Sequence, residues 1–285
     1  MAIKRTTLFA LFLAQTASAE STYEFHPYVQ KAGEVVRMTH TLSSERGRLT
    51  VTRGQTGQRG TIVRMHSRQL EHRIRPGAGS PGVRIKTVND IQTVTNSLAH
   101  GGKPQSQLGP LVGRTASGKK DSAGKWNLLL EGAPPTEDQA AELAQLEAYE
   151  NRGWFPERPV KVGESWDYEP VFIRHLMLRE LGTVEIKATM TLEEIRSIDG
   201  EATAILRCEL QTIGAKEETE RASDASGATA ALNATGTLQI TLSSMLDSKL
   251  TLTGTLSSTS RSGDTTSAMS LPMTVEITKS VVQRP

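Results

Sequence analysis

Three histidines in the first third of the chain are the residues best suited to metal chemistry. His40 and His72 share the apolar phase of their predicted strands, and His66 lies close to them in the sequence. Imidazole nitrogens from adjacent strands are ligands that Zn²⁺ and Cu²⁺ accept. However, no two of these histidines have ligand spacing within one strand or helix, and no carboxylate accompanies them as a fixed fourth ligand. We therefore predict half-buried core histidines, with no metal and no other cofactor.

Residues that could act as nucleophiles or acid–base pairs show no catalytic spacing. The sequence has no Gly-x-Ser-x-Gly motif and no phosphate-binding glycine loop between a strand and a helix. Cys208, the single cysteine, has the inward phase of its strand, which is typical of an inert buried thiol. The adjacent carboxylates Glu193 and Glu194 would point to opposite sides of an extended chain. We predict no catalytic residues, and we favour a non-enzymatic protein.

Basic residues are concentrated in the N-terminal part of a chain that has 33 Lys and Arg against 31 Asp and Glu. Six of them fall on neighbouring predicted strands: Arg37, Arg64, Arg73, Arg75, Arg84 and Lys86. On one solvated face they would form a surface for an anionic component of the cell envelope. The alternative is that they pair with the acidic residues between positions 136 and 230, or are simply solvated. Nucleic acid is not a predicted partner.

A second group of side chains could line an apolar binding pocket. Its members are methionines with a predicted inward phase and tryptophans that could stand at the pocket mouth: Met38, Met65, Met190, Trp126 and Trp166. Methionine adapts its shape to irregular apolar ligands. The alternative is structural, with the methionines as plain core and with Trp154 and Trp166 seating a helix against the sheet.

Alternation of apolar and polar residues dominates the chain and predicts strands. The clearest case is Thr183 to Leu192, and the Asp199-Gly200 pair that follows predicts a hairpin with the next alternating run. Strands with one apolar side belong to antiparallel sheets with one solvated face. Pro272 cannot donate to a ladder, so its strand is predicted to lie at an edge or to start late.

Helices are few. Thr136 and Gln139 form a capping box at the start of a helix predicted over Glu137 to Glu150. A second helix is predicted over Asp90 to His100, and Phe172 to Leu181 fits either a helix or a strand. The fold class is therefore mainly β (α+β). It is a large curved antiparallel sheet, or an open barrel, covered by one to three helices.

Residues 1–19 have the pattern of a signal peptide. Lys4 and Arg5 precede a short apolar run from Leu8 to Ala14, and small residues lead to a cleavage site after Ala19. The run is far shorter than the ~20 residues of a membrane-spanning helix. We expect a secreted or periplasmic protein without a transmembrane span. Its predicted parts are an N-terminal extension at residues 20–32 and a single β-rich domain at residues 33–285.

Several short stretches resemble a group of uncharacterised bacterial secreted β-rich domains. They are the signal, the segment Leu108 to Thr115 before a turn at Gly124, the helix, the block from Val162 to Trp166, and amphipathic strands such as Gly236 to Thr255. In the order of its elements the chain is also similar to periplasmic lipoprotein carriers of the LolA and LppX type. That similarity implies a curved, unclosed sheet that holds an acyl chain under helices. It assigns no site residues.

These observations lead to three interpretations of function. The first is a non-enzymatic binding or carrier protein for an apolar or lipid-like ligand. The second is a structural or interaction protein of the envelope that uses the basic N-terminal sheet face. The third is a hydrolase without a recognisable motif. The identity of the ligand, the oligomeric state and the role of the loop at Lys216 to Ser226 stay open.

Overall fold

A computed structural model describes residues 21–75, 82–170, 185–213 and 228–284. The predicted signal peptide, the ambiguous segment Phe172 to Leu181 and the loop Lys216 to Ser226 lie outside the described residues. The first strands are β1 (Thr22–Tyr23), β2 (Val35–Arg53), β3 (Thr56–Arg75), β4 (Gly82–Asn96), β5 (Gln105–Leu108), β6 (Thr115–Lys120) and β7 (Trp126–Leu130). The helix α1 (Glu137–Glu150) follows them. The later strands are β8 (Val160–Lys161), β9 (Ser165–Asp167), β10 (Glu185–Ile198), β11 (Glu201–Ile213), β12 (Ala228–Thr241), β13 (Leu246–Ser262) and β14 (Thr265–Gln283).

Twelve of these strands form one antiparallel sheet that is not closed into a barrel. Its order is β7-β6-β4-β3-β2-β14-β13-β12-β11-β10-β9, with β5 paired to β4, and the short strands β1 and β8 pair separately. The last strand, β14, lies between β13 and β2, so the last strand of the chain and the first strand of this sheet are neighbours in mid-sheet. The predicted fold class, a mainly β protein with a helix and a large antiparallel sheet, is confirmed.

Alternating burial gives the sheet one inner face and one outer face. On β10 the residues Ile186, Ala188, Met190 and Leu192 are buried, whereas Glu185 and Lys187 are exposed. The hairpin at Asp199-Gly200 is also confirmed. Both residues have positive φ, 53° and 82°, and Ile198 pairs with Glu201, which is the two-residue turn that Asp-Gly favours. We call the side that carries these buried residues the inner face.

Helix α1 lies at the β7 end of the sheet with Leu143, Leu146 and Tyr149 in the core. The predicted capping box is present, since the Thr136 hydroxyl accepts from the Gln139 amide and the Gln139 side chain accepts from the Thr136 amide. No helix within the described ranges has the length and apolar character needed to cross a bilayer.

The helix predicted over Asp90 to His100 is wrong. Residues up to Asn96 belong to β4, and a turn and a short 3₁₀ segment at His100–Gly102 follow. Strand β4 pairs with β3 on one side and with β5 and β6 on the other. These pairings satisfy the backbone groups on both sides, and the β-branched residues at 91 and 93–95 favour an extended chain. Tertiary pairing therefore overrides the helical periodicity.

The predicted edge position of Pro272 is also wrong. Strand β14 is central, and Pro272 pairs with Thr255 of β13. On the side that faces β2, the regular pairing stops at Ser270 and resumes at Thr274. Pro272 lies within this interruption, so no regular backbone hydrogen bond with β2 is lost through its missing N–H. Strand β2 has its own irregularity opposite β3, between Ser44 and Gly47. The proline is accommodated at this bend of the sheet.

Candidate functional site

One row of side chains crosses the inner face from β10 to β4 and changes in character along its length. Neighbouring strands place these residues opposite one another in register: Leu192, Leu206, Leu238, Leu250, Ile277, His40, Arg68 and Asp90. All eight are buried. The five residues on β10 to β14 are aliphatic, and the three on β2, β3 and β4 are polar. We call this set the transverse row.

The polar end of the transverse row belongs to a buried charged cluster, which we define as His66, Arg68, Asp90 and Glu142. The Nε2 atom of His66 lies 2.7 Å from Oδ1 of Asp90, and Nε of Arg68 lies 3.5 Å from Oδ2 of the same carboxylate. Glu142 approaches from α1, with its Oε1 atom 2.6 Å from Nη2 of Arg68. Arg68 therefore links a carboxylate of the sheet to one of the helix.

The charges of the cluster stabilise one another. Burial alone would raise the pKa of Asp90, but the hydrogen bond with His66 and the charge of Arg68 outweigh it and hold that pKa below its usual range. Asp90 therefore stays ionised beneath the helix. Two opposed carboxylates around one guanidinium form a compact ion network, which fixes geometry more than it adds stability.

His40 stands at the boundary between the aliphatic and charged parts of the transverse row. Its side chain is fully buried, at 0% exposure, between Ile277 of β14 and Arg68 of β3 in the register. Burial, with the nearby His66 and Arg68, lowers the pKa of His40 to about 3, so the ring is neutral at neutral pH. The ring meets His66 edge-on, with centroids 5.3 Å apart. Neither ring nitrogen of His40 has a hydrogen-bond partner within the described structure.

The segment Leu108 to Thr115, one of the short stretches that carried the resemblance, closes over this cluster. The Gly109 amide donates to the carbonyl of Asp90 at 2.9 Å, and the Gln139 side chain donates to the Pro110 carbonyl at 3.1 Å. A Cβ atom at Gly109 would lie 2.1 Å from Oδ2 of Asp90. Only glycine lets the backbone come so close, so the backbone at Gly109 packs directly against the Asp90 carboxylate.

A second set of buried charges holds the C-terminal end of α1. Oδ2 of Asp247 accepts from Nη2 of Arg152 at 2.8 Å and from Nζ of Lys279 at 2.7 Å. Burial would raise the pKa of Asp247, but the two cations lower it below its usual range. The guanidinium of Arg152 also lies over the rings of Tyr149 and Trp154, at 4.2 and 4.6 Å from their centroids. The helix is thus tied to β13 and β14 as well as to β3.

Four of the five residues predicted to line an apolar pocket belong to the buried core or pack against it. Met190 and Trp166 are buried and lie opposite each other in register on β10 and β9, and Met38 is buried on β2. Trp126 lies on β7, at the other end of the sheet, with the ammonium of Lys120 5.3 Å from its ring centroid.

The predicted inward position of Met65 is wrong. Opposite β2 the register of β3 is continuous from Met65 to Leu70, and in the irregularity opposite β4 the extra residue, Val88, lies on β4. Leu70 is buried, so Met65 points to the outer face, and it is 52% exposed. Met65 is therefore an exposed outer-face residue and does not line an interior pocket.

The tryptophans have the contacts expected of the structural alternative. Nε1 of Trp166 donates to the carbonyl of Trp154 at 2.8 Å, and Trp154 packs edge-on against Tyr149 of α1 at 6.4 Å. Phe25, from the predicted N-terminal extension, stacks on Trp166 with centroids 6.4 Å apart. These residues join α1, the following loop and β9 into one aromatic cluster.

The six basic residues do not share one unpaired face. Arg37 and Arg73 both contact Glu71, at 3.1 and 3.8 Å, and Lys86 lies opposite Glu71 in register. Arg84 forms a two-pronged ion pair with Glu131, with Nε donating to Oε1 at 2.7 Å. Arg64 lies in the inward phase of β3 beside Gln92, whose amide oxygen can accept from it. The side chain of Arg75 is outside the described part of the structure.

His40 and His66 converge, while His72 lies elsewhere on the inner face with its Nδ1 atom 3.6 Å from Oε1 of Glu150. Within the described residues, no group of three or more His, Cys, Asp and Glu side chains is arranged to hold a metal ion. The charged cluster contains no serine or cysteine nucleophile. Burial raises the pKa of the Cys208 thiol to about 12.

Comparison with known proteins adds no assignment: the chain matches no protein family, and no curated protein is significantly similar to it. Sequence reasoning identified His40 and His66 but missed Arg68, Asp90 and Glu142. A usable signal was present, because Arg68 shares the inward phase of β3 with Leu70, and a charged residue in an inward phase marks a buried ion pair.

Proposed function

We propose that this protein is a non-enzymatic binding or carrier protein for an apolar or lipid-like ligand. The observation that carries the proposal is the transverse row, in which five buried aliphatic residues lead without interruption to a buried polar boundary. A lipid has the same order of parts, with an apolar chain followed by a polar end. An interior that passes from apolar to polar along one line is suited to hold such a molecule in a single orientation.

The dimensions support the proposal. Strands β10 to β14 are five consecutive neighbours in the sheet. At a spacing of about 4.8 Å between strands, the aliphatic part of the row is roughly 19 Å long. That length matches a long alkyl chain laid across the strands once the closed interior opens. Each methylene group moved from water to such a surface contributes about 0.8 kcal/mol, so chain length would dominate affinity.

The way α1 is attached supports access to this interior. Its charged contacts with the sheet run through the Arg68–Glu142, His72–Glu150 and Arg152–Asp247 pairs. Buried ion pairs contribute little net stability, because desolvation of the charges offsets their attraction. We propose that α1 separates from the sheet to admit the ligand and that the described structure is the closed state.

The test begins with native mass spectrometry of protein purified from a bacterial host without detergent. We expect a bound mass that solvent extraction identifies as a lipid. The delipidated protein is then offered an alkyl alcohol that carries a photoreactive diazirine near the chain end. Cross-links are expected on peptides of β10 to β14. Protein that stays free of ligand after purification and after lipid is offered would overturn the proposal, as would cross-links confined to outer-face residues.

A further inference from the structure

We infer that the ligand has an uncharged head group that both donates and accepts hydrogen bonds, such as a hydroxyl or an amide, and that His40 binds this head group. This inference rests on the proposed function and names the class of lipid that the site would take. Its starting observation is the fully buried ring of His40, whose two nitrogens have no partner within the described structure. Buried polar groups are almost always hydrogen-bonded, so such a ring indicates a partner that binds there.

The protonation state of His40 defines what that partner must offer. A neutral imidazole presents one N–H donor and one bare nitrogen acceptor. Desolvation by burial keeps His40 neutral, and the groups facing it are His66, Arg68 and Asp90. A hydroxyl or an amide can bind either nitrogen, since each of these groups can accept from the N–H and can donate to the bare nitrogen. An ionised carboxylate can only accept, and an ammonium can only donate.

The charges around His40 also disfavour an ionic head group. The one guanidinium of the charged cluster, Arg68, is already ion-paired with two carboxylates, Asp90 at 3.5 Å and Glu142 at 2.6 Å, although its Nε and Nη2 atoms make no hydrogen bond within the described structure. An incoming carboxylate or phosphate would meet these two acidic groups. An incoming ammonium would meet Arg68 beside His40, and the two carboxylates there are already paired with that guanidinium. Burying an unpaired charge costs far more than burying a neutral polar group. The site therefore selects against both fatty acids and alkyl amines.

The test compares three ligands with the same chain, dodecanol, dodecanoate and dodecylammonium, on the delipidated full chain. Binding is measured by displacement of a fluorescent apolar probe at neutral pH. We expect dodecanol to bind roughly tenfold or more tightly than either ion, because the ions leave a buried charge unpaired. Equal or tighter binding of dodecanoate would overturn the inference while leaving the proposed function intact. Failure of all three ligands to bind would overturn the proposed function itself.

Two variants test whether His40 causes the selectivity for an uncharged head group. His40→Leu keeps an apolar side chain of similar size and removes both ring nitrogens, so we expect roughly tenfold weaker binding of dodecanol with unchanged binding of dodecane. His40→Gln retains a donor and an acceptor and should restore most of the affinity for dodecanol. Unaltered dodecanol binding by His40→Leu would show that the ring does not bind the head group. Loss of dodecane binding as well would show that the ring only supports packing.

Discussion

His40 illustrates how a single buried side chain makes stability depend on pH. Its pKa in the folded protein is about 3, against about 6.5 in the unfolded chain. As the pH falls below about 6.5 the unfolded chain takes up a proton that the folded protein excludes, so the free energy of unfolding decreases. The decrease ends near pH 3, where the folded protein is protonated as well. Asp90 and Asp247, whose pKa values are lowered, add a further loss below about pH 4.

We predict that His40→Leu removes this part of the pH dependence. Between about pH 7.5 and about pH 5 the wild-type protein should lose about 2 kcal/mol of unfolding free energy that the variant retains. The measurement is urea denaturation at several pH values. His26→Leu, which removes an exposed imidazole, serves as the control and should keep the wild-type slope. Parallel slopes for wild-type and His40→Leu would contradict the prediction.

Glycine packing gives a second prediction at the scale of one residue. A Cβ atom at Gly236 of β12 would lie 1.8 Å from the backbone oxygen of Thr251 on β13. Gly236→Ala should therefore lower the free energy of unfolding by about 3 kcal/mol or more, because backbone must shift. Gly57→Ala is the matched control, since its Cβ would meet only the Thr52 hydroxyl at 3.8 Å, and it should stay within about 0.5 kcal/mol of wild type. Thermal and urea unfolding distinguish the two, and equal effects would contradict the account.

At the scale of elements, the attachment of α1 to β7 protects an edge of the sheet. The Asn151 side chain accepts from the Trp126 amide at 2.7 Å and donates to the Trp126 carbonyl at 2.8 Å. Two residues further along β7, the Leu128 amide donates to the Glu147 carboxylate at 2.7 Å. The helix thereby supplies side-chain partners to backbone groups that an edge strand would otherwise expose. The sheet ends here without offering a free ladder to another chain.

We predict that Asn151→Ala loosens this edge. Loss of two hydrogen bonds should cost about 2 kcal/mol of unfolding free energy and speed hydrogen exchange at the Trp126 amide. Asn127→Ala changes the same residue type at an exposed position of β7 and should alter neither quantity by much. Amide exchange followed by mass spectrometry measures the effect. Unchanged exchange in Asn151→Ala would show that α1 does not protect this edge.

At the scale of the whole molecule, two carboxylates pair with basic residues of the outer face: Glu71 contacts Arg37 and Arg73, and Glu131 contacts Arg84. These pairs offset only part of the positive charge of this face, but they engage three of the predicted basic residues within the molecule. This arrangement favours the alternative that was open at the level of sequence, in which the basic residues pair within the molecule.

We predict that the double variant Glu71→Gln with Glu131→Gln strengthens anion binding by this face. Two uncovered positive charges should strengthen binding to vesicles of anionic lipid about tenfold at low salt, and high salt should abolish the gain. The double variant Glu193→Gln with Glu276→Gln is the control, because it changes the net charge equally on other strands. Sedimentation with vesicles measures binding. Equal gains in both double variants would mean that net charge alone, and not this face, is responsible.

The sequence by itself determined the features that depend on near neighbours. Period-two alternation predicted the strands, Asp199-Gly200 predicted its hairpin, and Thr136 with Gln139 predicted the start of α1. These predictions succeeded because side-chain direction in a strand, positive φ in a two-residue turn and the capping of a helix are local properties of the chain. The fold class followed from them.

Only the tertiary structure decided which strands lie side by side and in which register. The placement of β14 beside β2 joined Ile277 to His40 and so completed the transverse row, and it put Pro272 in mid-sheet. The uninterrupted alternation of β3 put Met65 outside, and the approach of α1 brought Glu142 to Arg68. Alternation tells which residues of one strand share a face, but it does not tell which distant strand will lie opposite them. That choice depends on contacts between residues far apart in the chain, and the candidate site depends on it.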